Sequence, residues 1–174
     1  MAHPLRLVLP DPAYRASVLE GLRELQAEPR FAYLDLAAIA ADFPAYVAAQ
    51  RARSDAANLP PDQLPETVFW LMEGETFIGR LSIRVTPDEA RIRTIGNIGY
   101  MIRPSRRRMG YGTAILTLAL PAAKALGLTR VLVTCDEDNL ASRKIIERNG
   151  GRLEGATPSR NGPRLTLRFW IELA

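Results

Sequence analysis

The stretch Ile98-Gly99-Tyr100-Met101-Ile102-Arg103-Pro104-Ser105-Arg106-Arg107-Arg108-Met109-Gly110-Tyr111-Gly112-Thr113-Ala114 passes from a β-rich segment through a basic loop into the start of a helix. Glycines at 110 and 112 let the backbone approach a ligand without β-carbons in the way, and the first amides of a helix point outward unpaired. With the positive end of the helix dipole, they form a cradle suited to phosphate. The spacing matches neither G-x-x-x-x-G-K-[ST] nor G-x-G-x-x-G, which argues against nucleoside triphosphate hydrolysis and against a dinucleotide-binding dehydrogenase.

Around this stretch the apolar pattern alternates between strand and helix periods. Leu5 to Leu9 reads as a short strand stopped by Pro10, and Asp11-Pro12 opens a helix whose stripe is Tyr14, Val18, Leu22 and Leu25. Pro29 closes that helix, Phe31 to Asp35 is ambiguous, and Pro44 to about Arg53 reads as a second helix. Ser54 to Pro65 is a proline-rich loop. Glu66 to Glu73 and Thr76 to Val85 form a hairpin around Gly74, and Thr94 to Ile102 is a further β-rich run after a polar stretch. Gly110 to about Leu126 is helical, with Gly127 as its C-cap and a bend expected at Pro121. Thr129 to Cys135 has the continuous apolar character of a strand buried on both faces, and Asn139 to Arg148 is a helix ended by Asn149-Gly150. Gly151 to Glu154 and Leu165 to Glu172 close the chain as strands. The order predicts a three-layer α/β sheet with helices on both faces. The strands flanking the glycine loop and its helix should be parallel neighbours.

The chain has 174 residues, 47% of them apolar, enough for one domain over residues 1–174 with a sizeable core. No apolar run of about 18 residues appears and the N-terminus lacks a secretory pattern, so a cytoplasmic protein without membrane association is expected. The net charge is +4, and Arg106, Arg107 and Arg108, with Arg103 just upstream, form a local cluster that wants an anion. Nucleic acid generally needs an extended basic face or a stacking platform, and only 7% of residues are aromatic, so a compact phosphate ligand fits better. His3 is the only histidine and Cys135 the only cysteine. Neither a Ser-His-Asp triad nor a histidine-based metal site can be assembled, and no metal is expected. Cys135, flanked by Val-Leu-Val-Thr, reads as a buried small hydrophobe.

The hexad Arg107-Arg108-Met109-Gly110-Tyr111-Gly112 resembles the Q/R-x-x-G-x-G/A signature of the GNAT superfamily of N-acetyltransferases. Asn97 to Ile102 looks like that family's fourth strand. Asp136 to Ser142, followed by Asn149-Gly150-Gly151, looks like its later strand-to-helix passage. The resemblance is clear over about Gly79 to Gly151 and rests on element order before it. It implies a mixed, mostly antiparallel central sheet of six to seven strands, acetyl-CoA as cosubstrate, and transfer of the acetyl group to a primary amine on a small molecule or protein. It also implies pairing of two copies as a homodimer. Backbone amides of Arg107, Arg108, Met109, Gly110, Tyr111, Gly112 and Thr113 would hold the pyrophosphate, with side-chain charge from Arg103, Arg106 and Arg108. Backbone groups of Met101, Ile102 and Arg103 would pair with the pantetheine arm where the fourth and fifth strands splay apart. Asn139 and Ser142 would contact the arm from the far side, and an amide such as that of Ile102 would stabilise the oxyanion.

The implied mechanism is direct attack by a neutral amine, so the ammonium must lose a proton and the departing thiolate must gain one. The family often places Glu where this chain has Asn97, which could only orient a water. Its frequent general-acid Tyr corresponds to Ile146. Ser142 or a water could replace the acid, with Tyr100 and Tyr111 as alternatives, and Asp35 or Glu73 could act as base through water. Bland roles compete at two of these positions: Asn139 directly before a helix is an ordinary N-cap, and a strand amide such as Asn97 usually bonds locally. Residues lining an acceptor pocket would come from the first two helices and the loop Ala156 to Pro163. The alternative function is a non-catalytic acyl-CoA-binding sensor or regulatory module.

Overall fold

The computed structural model describes residues 3–159 and 162–173. Among them the chain runs β1 (Leu5–Val8), α1 (Arg15–Gln26), α2 (Leu36–Ala41), α3 (Phe43–Ala52), β2 (Glu66–Glu73), β3 (Thr76–Arg84) and α4 (Glu89–Ile95). It continues through β4 (Ile98–Ile102), α5 (Tyr111–Ala125), β5 (Arg130–Asp136), α6 (Leu140–Arg148), β6 (Arg152–Pro158) and β7 (Leu165–Glu172). The strands form one sheet in the order β1-β2-β3-β4-β5-β7-β6. Every neighbouring pair is antiparallel except β4 with β5. This is the mixed, mostly antiparallel α/β sheet the sequence predicts.

Side-chain alternation divides the core between the two faces of the sheet. On one face Val18, Leu22 and Leu25 of α1 and Phe43 and Val47 of α3 pack on Val68, Trp70 and Phe77. On the other, Ile115, Leu116 and Ala119 of α5 and Ile146 of α6 pack on Leu81, Ile83, Ile98 and Val133. Helix α5 continues through Pro121 as far as Ala125. Among the described residues, no helix is long and apolar enough to cross a membrane.

Two helices depart from the sequence reading. The segment Leu36–Ala41 is helical because Asp35 accepts the amide of Ala38 as an N-cap, and Asp42 starts α3 in the same way at Ala45. Thr94 and Ile95, expected in a strand, close α4, which Asp88 caps at Arg91 and which ends at Gly96 with φ +76°. Strand β4 is therefore only five residues long.

Between β4 and β5 a single residue pair stays in register, Ile98 with Val133. Asn97 pins that point. Its amide donates to Leu132 O at 2.7 Å, its side-chain Oδ1 accepts from Leu132 N at 2.8 Å, and its Nδ2 donates to Arg84 O at 3.1 Å. With only 5% of its surface exposed, Asn97 bonds both neighbouring strands, and beyond it they part. Asn97→Ala strands the Leu132 N–H and the Arg84 carbonyl. The variant is expected to lose about 2 kcal/mol or more of stability, read as a lower urea midpoint at unchanged slope.

Candidate active site

Strand β4 has one edge on β3 and one on the gap. The Arg103 amide donates to Ile78 O at 3.0 Å and the Asn97 carbonyl accepts from Arg84 N at 2.7 Å. Alternation along an antiparallel ladder therefore turns the backbone groups of Gly99 and Met101 and the amide of Arg103 toward β3, and those of Tyr100 and Ile102 toward the gap, while the Arg103 carbonyl accepts from the Arg106 amide at 3.0 Å. This corrects the expectation for Met101 and Arg103, whose amides and carbonyls are not presented to a ligand there. Ile102 keeps its amide for the gap, while its carbonyl accepts from Arg107 Nε at 3.0 Å.

The basic loop after β4 divides its arginines between two tasks. Arg103, 3% exposed, donates through Nε to Glu24 at 3.1 Å and pairs with Glu20 at 3.2 Å, so its side chain cannot reach a phosphate. Arg107 is tied to Ile102 O and to Glu28, and its amide is engaged with Pro104 O at 3.2 Å. The expected role of the Arg107 amide on the pyrophosphate is thus corrected. Glu24 also accepts from the amide of Ser105 at 3.0 Å and from its hydroxyl at 2.8 Å. Glu20, Glu24 and Glu28 lie four residues apart, on one face of α1 and just past its end, and latch the loop to the helix. That spacing was visible in the sequence but pointed to no partner until the fold brought the loop alongside. Arg106 and Arg108 pair with no described residue and remain available for an anion.

Helix α5 begins without a side-chain cap. The first amide to close a helical bond is that of Ala114, donating to Gly110 O at 3.1 Å. The amides of Arg108, Met109, Gly110, Tyr111, Gly112 and Thr113 donate to no described group. Arg108 (φ +61°) and Gly110 (φ +87°) are left-handed, and a Cβ at Gly110 would meet nothing within 4 Å. The backbone at Gly110 is open, as a phosphate cradle requires. Gly112 differs: a Cβ there would lie 2.6 Å from Ile145 Cδ1, so the Ile145 side chain of α6 packs directly over this glycine. The Tyr111 hydroxyl donates to Glu73 at 2.9 Å, which places both groups at the cradle end and removes Glu73 as a candidate base in the gap. Asp35, the other carboxylate considered, caps α2.

The gap opens into a cleft of about 560 Å³. On the α5–α6 side the Tyr100 and Ser142 hydroxyls share a hydrogen bond of 2.9 Å, and Cys135 lies beside them. Burial, against a lowering hydrogen bond from Ser142, pushes the Tyr100 phenol up to about 12. Burial and the charge of Asp136 raise the Cys135 thiol to about 11, as expected of a buried hydrophobe. Asn139 caps α6 by accepting from Ser142 N at 3.0 Å, and its side chain borders the cleft. Ile146, at the position of the family's general acid, is fully buried in the core. On the opposite side lie Asp136, Thr134, Gly99 and Arg84. Among the described residues Asp136 is the only carboxylate lining the cleft, and its side chain has no hydrogen-bond or ion-pair partner there. Sequence reasoning missed it because only its place on β5 turns it inward. Residues 160 and 161, within the loop expected to line an acceptor pocket, lie outside the described residues.

A seven-stranded sheet parted after its fourth strand, with an uncapped glycine-led helix beside the parting, is the architecture of acyl-CoA-dependent acetyltransferases. Residues 12–152 match the acetyltransferase (GNAT) domain. The chain belongs to the GNAT acetyltransferase family and is an acyltransferase. No curated protein matches it significantly. Among solved structures, a ribosomal L7/L12 α-N-protein acetyltransferase in complex with coenzyme A superposes with TM-score 0.71 at 15% identity, covering 99% of this chain and 98% of that one. RimJ of Mycobacterium smegmatis in complex with a CoA disulfide gives TM-score 0.66 at 21% identity, covering 98% and 86%. The microcin C7 self-immunity acetyltransferase in complex with acetyl-CoA and AMP gives TM-score 0.68 at 13% identity, covering 97% and 92%.

Hydrogen bonds from Arg103, outweighing burial, hold the Glu24 carboxyl at about 2, with further support from Ser105. Because the folded value lies below the ordinary 4.5, the latch stabilises fully above pH 4.5 and is lost as pH falls toward 2. Melting temperatures measured across that window should fall with acid in the wild type and less steeply in Glu24→Gln, which starts from a lower plateau.

Proposed function

We propose that this acyltransferase moves the acetyl group of acetyl-CoA to a primary amine by direct attack, without an acyl-enzyme. Acetyl-CoA supplies the activated acyl group. The observation that most supports the reading is the placement, at opposite ends of one short strand, of an open amide cradle at Gly110 and a cleft bordered by both proton-carrying and proton-accepting side chains. The residues fit the cosubstrate. Amides of Arg108 to Thr113, with the side chains of Arg106 and Arg108, hold the pyrophosphate. The Ile102 amide and Tyr100 carbonyl pair with the pantetheine arm, Asn139 and Ser142 flank it, and the Tyr100 amide, beside the cleft, stabilises the oxyanion.

For the proton steps, Asp136 takes the proton from the ammonium, directly or through water, in place of the engaged Asn97. Tyr100, protonated at neutral pH and oriented by Ser142, returns a proton to the leaving sulfur in place of Ile146. A base and an acid in one cleft favour catalysis over a sensor role. That the seven strands of the described residues lie in one sheet supports reading residues 1–174 as one domain.

Calorimetry with acetyl-CoA tests the cradle. Wild type is expected to bind. Gly110→Glu puts bulk and negative charge among the open amides and should abolish binding, whereas Gly110→Ala, with the same left-handed strain, should retain most of it. Failure of wild type to bind removes the transferase reading. Asp136→Asn should keep acetyl-CoA affinity and lower kcat about a hundredfold or more.

A further inference from the structure

Three arginines share one glutamate on the α1–α3 face of the sheet. Glu66 Oε1 accepts from Arg53 Nε at 2.7 Å and from Arg80 at 2.8 Å, and Oε2 lies 3.0 Å from Arg84. Glu66 is 4% exposed. Burial alone would raise its carboxyl, but the charges of Arg80 and Arg84 and the hydrogen bonds from Arg80 and Arg53 hold it at about 2. It is ionised at neutral pH, and the cluster carries three positive charges against one negative. No second described carboxylate pairs with any of the three arginines. Tethering α3 to the sheet needs one of these ion pairs. The surplus is costly in a partly buried place: desolvation lowers the Arg84 guanidinium, and repulsion by Arg80 and Arg53 adds to it.

Arg84 also borders the cleft, on the side that carries Asp136. Gly99 lies directly against it: a Cβ at this position would sit 3.5 Å from both Arg84 Nη1 and Nη2, covering part of the guanidinium that glycine leaves bare. The cradle for the cosubstrate lies past the other end of β4, and the strand from Gly99 to Ile102 alone spans roughly 10 Å, so the same phosphates cannot answer both charges. We infer that Arg84, supported by Arg53 and Arg80, is the anion subsite for the acceptor. The amine acetylated here carries a carboxylate or phosphate near its nitrogen, with the ammonium toward Asp136 and the anion toward Arg84. The inference rests on the transferase reading for the word acceptor, but the anion subsite itself does not.

The test uses matched probes on the full chain: β-alanine against β-alaninamide for the carboxylate, and O-phosphoethanolamine against ethanolamine for the phosphate. Binding is read from the Nε–Hε resonance of Arg84 by NMR, and transfer from initial rates with acetyl-CoA. At least one anionic probe should shift the Arg84 signal and bind roughly tenfold or more tightly than its neutral partner, as a charge-assisted pair predicts. The arm that shifts it identifies the anion. Arg84→Gln should erase that preference, and Gly99→Ala, which keeps every arginine and makes only ordinary contacts, should weaken it. Equal response to anionic and neutral probes, or no response of Arg84 to any, overturns the subsite even where acetyl-CoA binds and neutral amines are acetylated. A shift of Arg84 by an anionic probe that is not acetylated upholds the anion subsite but overturns its assignment to the acceptor.

Discussion

Two parallel strands joined at one residue pair leave a row of backbone donors and acceptors facing each other across a gap, and every other feature of the site follows from that parting. In a closed sheet those groups would pair, and leaving a buried one unpaired costs about 1–3 kcal/mol. The opening is held by chemistry at Gly96-Asn97. Gly96, at φ +76°, brings the chain out of α4 in a conformation most residues avoid. Asn97 then offers its side-chain oxygen to the Leu132 amide and its side-chain nitrogen to the Arg84 carbonyl. The strands are bonded firmly at the mouth of the gap and released beyond it. The Tyr100 and Ile102 amides are left for a polar, extended ligand, which the arm of coenzyme A is.

Charge is distributed with the same economy. The loop after β4 carries Arg103, Arg106, Arg107 and Arg108. If all four faced one phosphate group, their mutual repulsion would disorder the loop whenever the ligand was absent. Arg103 and Arg107 are instead neutralised by Glu20, Glu24 and Glu28 from α1, which fixes the loop, and Arg106 and Arg108 remain for the ligand. The Arg53–Arg80–Arg84 cluster is the reverse case. A single glutamate leaves it two charges in excess, beside a cleft that could admit the missing anions.

Much of the architecture was readable from the sequence because it is written in periodicity and punctuation. Pro10, Gly74, Gly127 and Gly150 each lie within two residues of where the structure ends the element they bound. The segments missed were short: α2 has six residues and α4 seven, too few for an amphipathic stripe, and their aspartate caps were the remaining signal. The site was legible only in part, for a different reason. Gly110 and the helix start are local features, so their motif could be read directly. Which arginines are free, which strand edge each amide faces, and which carboxylate enters the cleft depend on α1, β3 and β5, all distant in sequence. Asp136 sat inside a recognised passage without attracting a role, whereas Asp35 and Glu73 attracted roles that helix capping and Tyr111 already use.

The alternation of β4 carries these parts into a working order. Tyr100 points to the α5–α6 side, where Ser142 holds its hydroxyl, while Gly99 lies on the side of Arg84 and Asp136. A thioester lying in the plane of the gap has a proton donor on one face and a carboxylate on the other. A phenol pushed up to about 12 keeps its proton at neutral pH, so Tyr100 can give one but cannot take one from the incoming amine. In the proposed mechanism, proton removal and proton return are therefore separated by the strand itself. Glycine at 99 leaves the Arg84 face bare, where a Cβ would sit 3.5 Å from both guanidinium nitrogens. One short strand, with a tyrosine turned one way and a glycine the other, thus sets the direction from which each reactant must come.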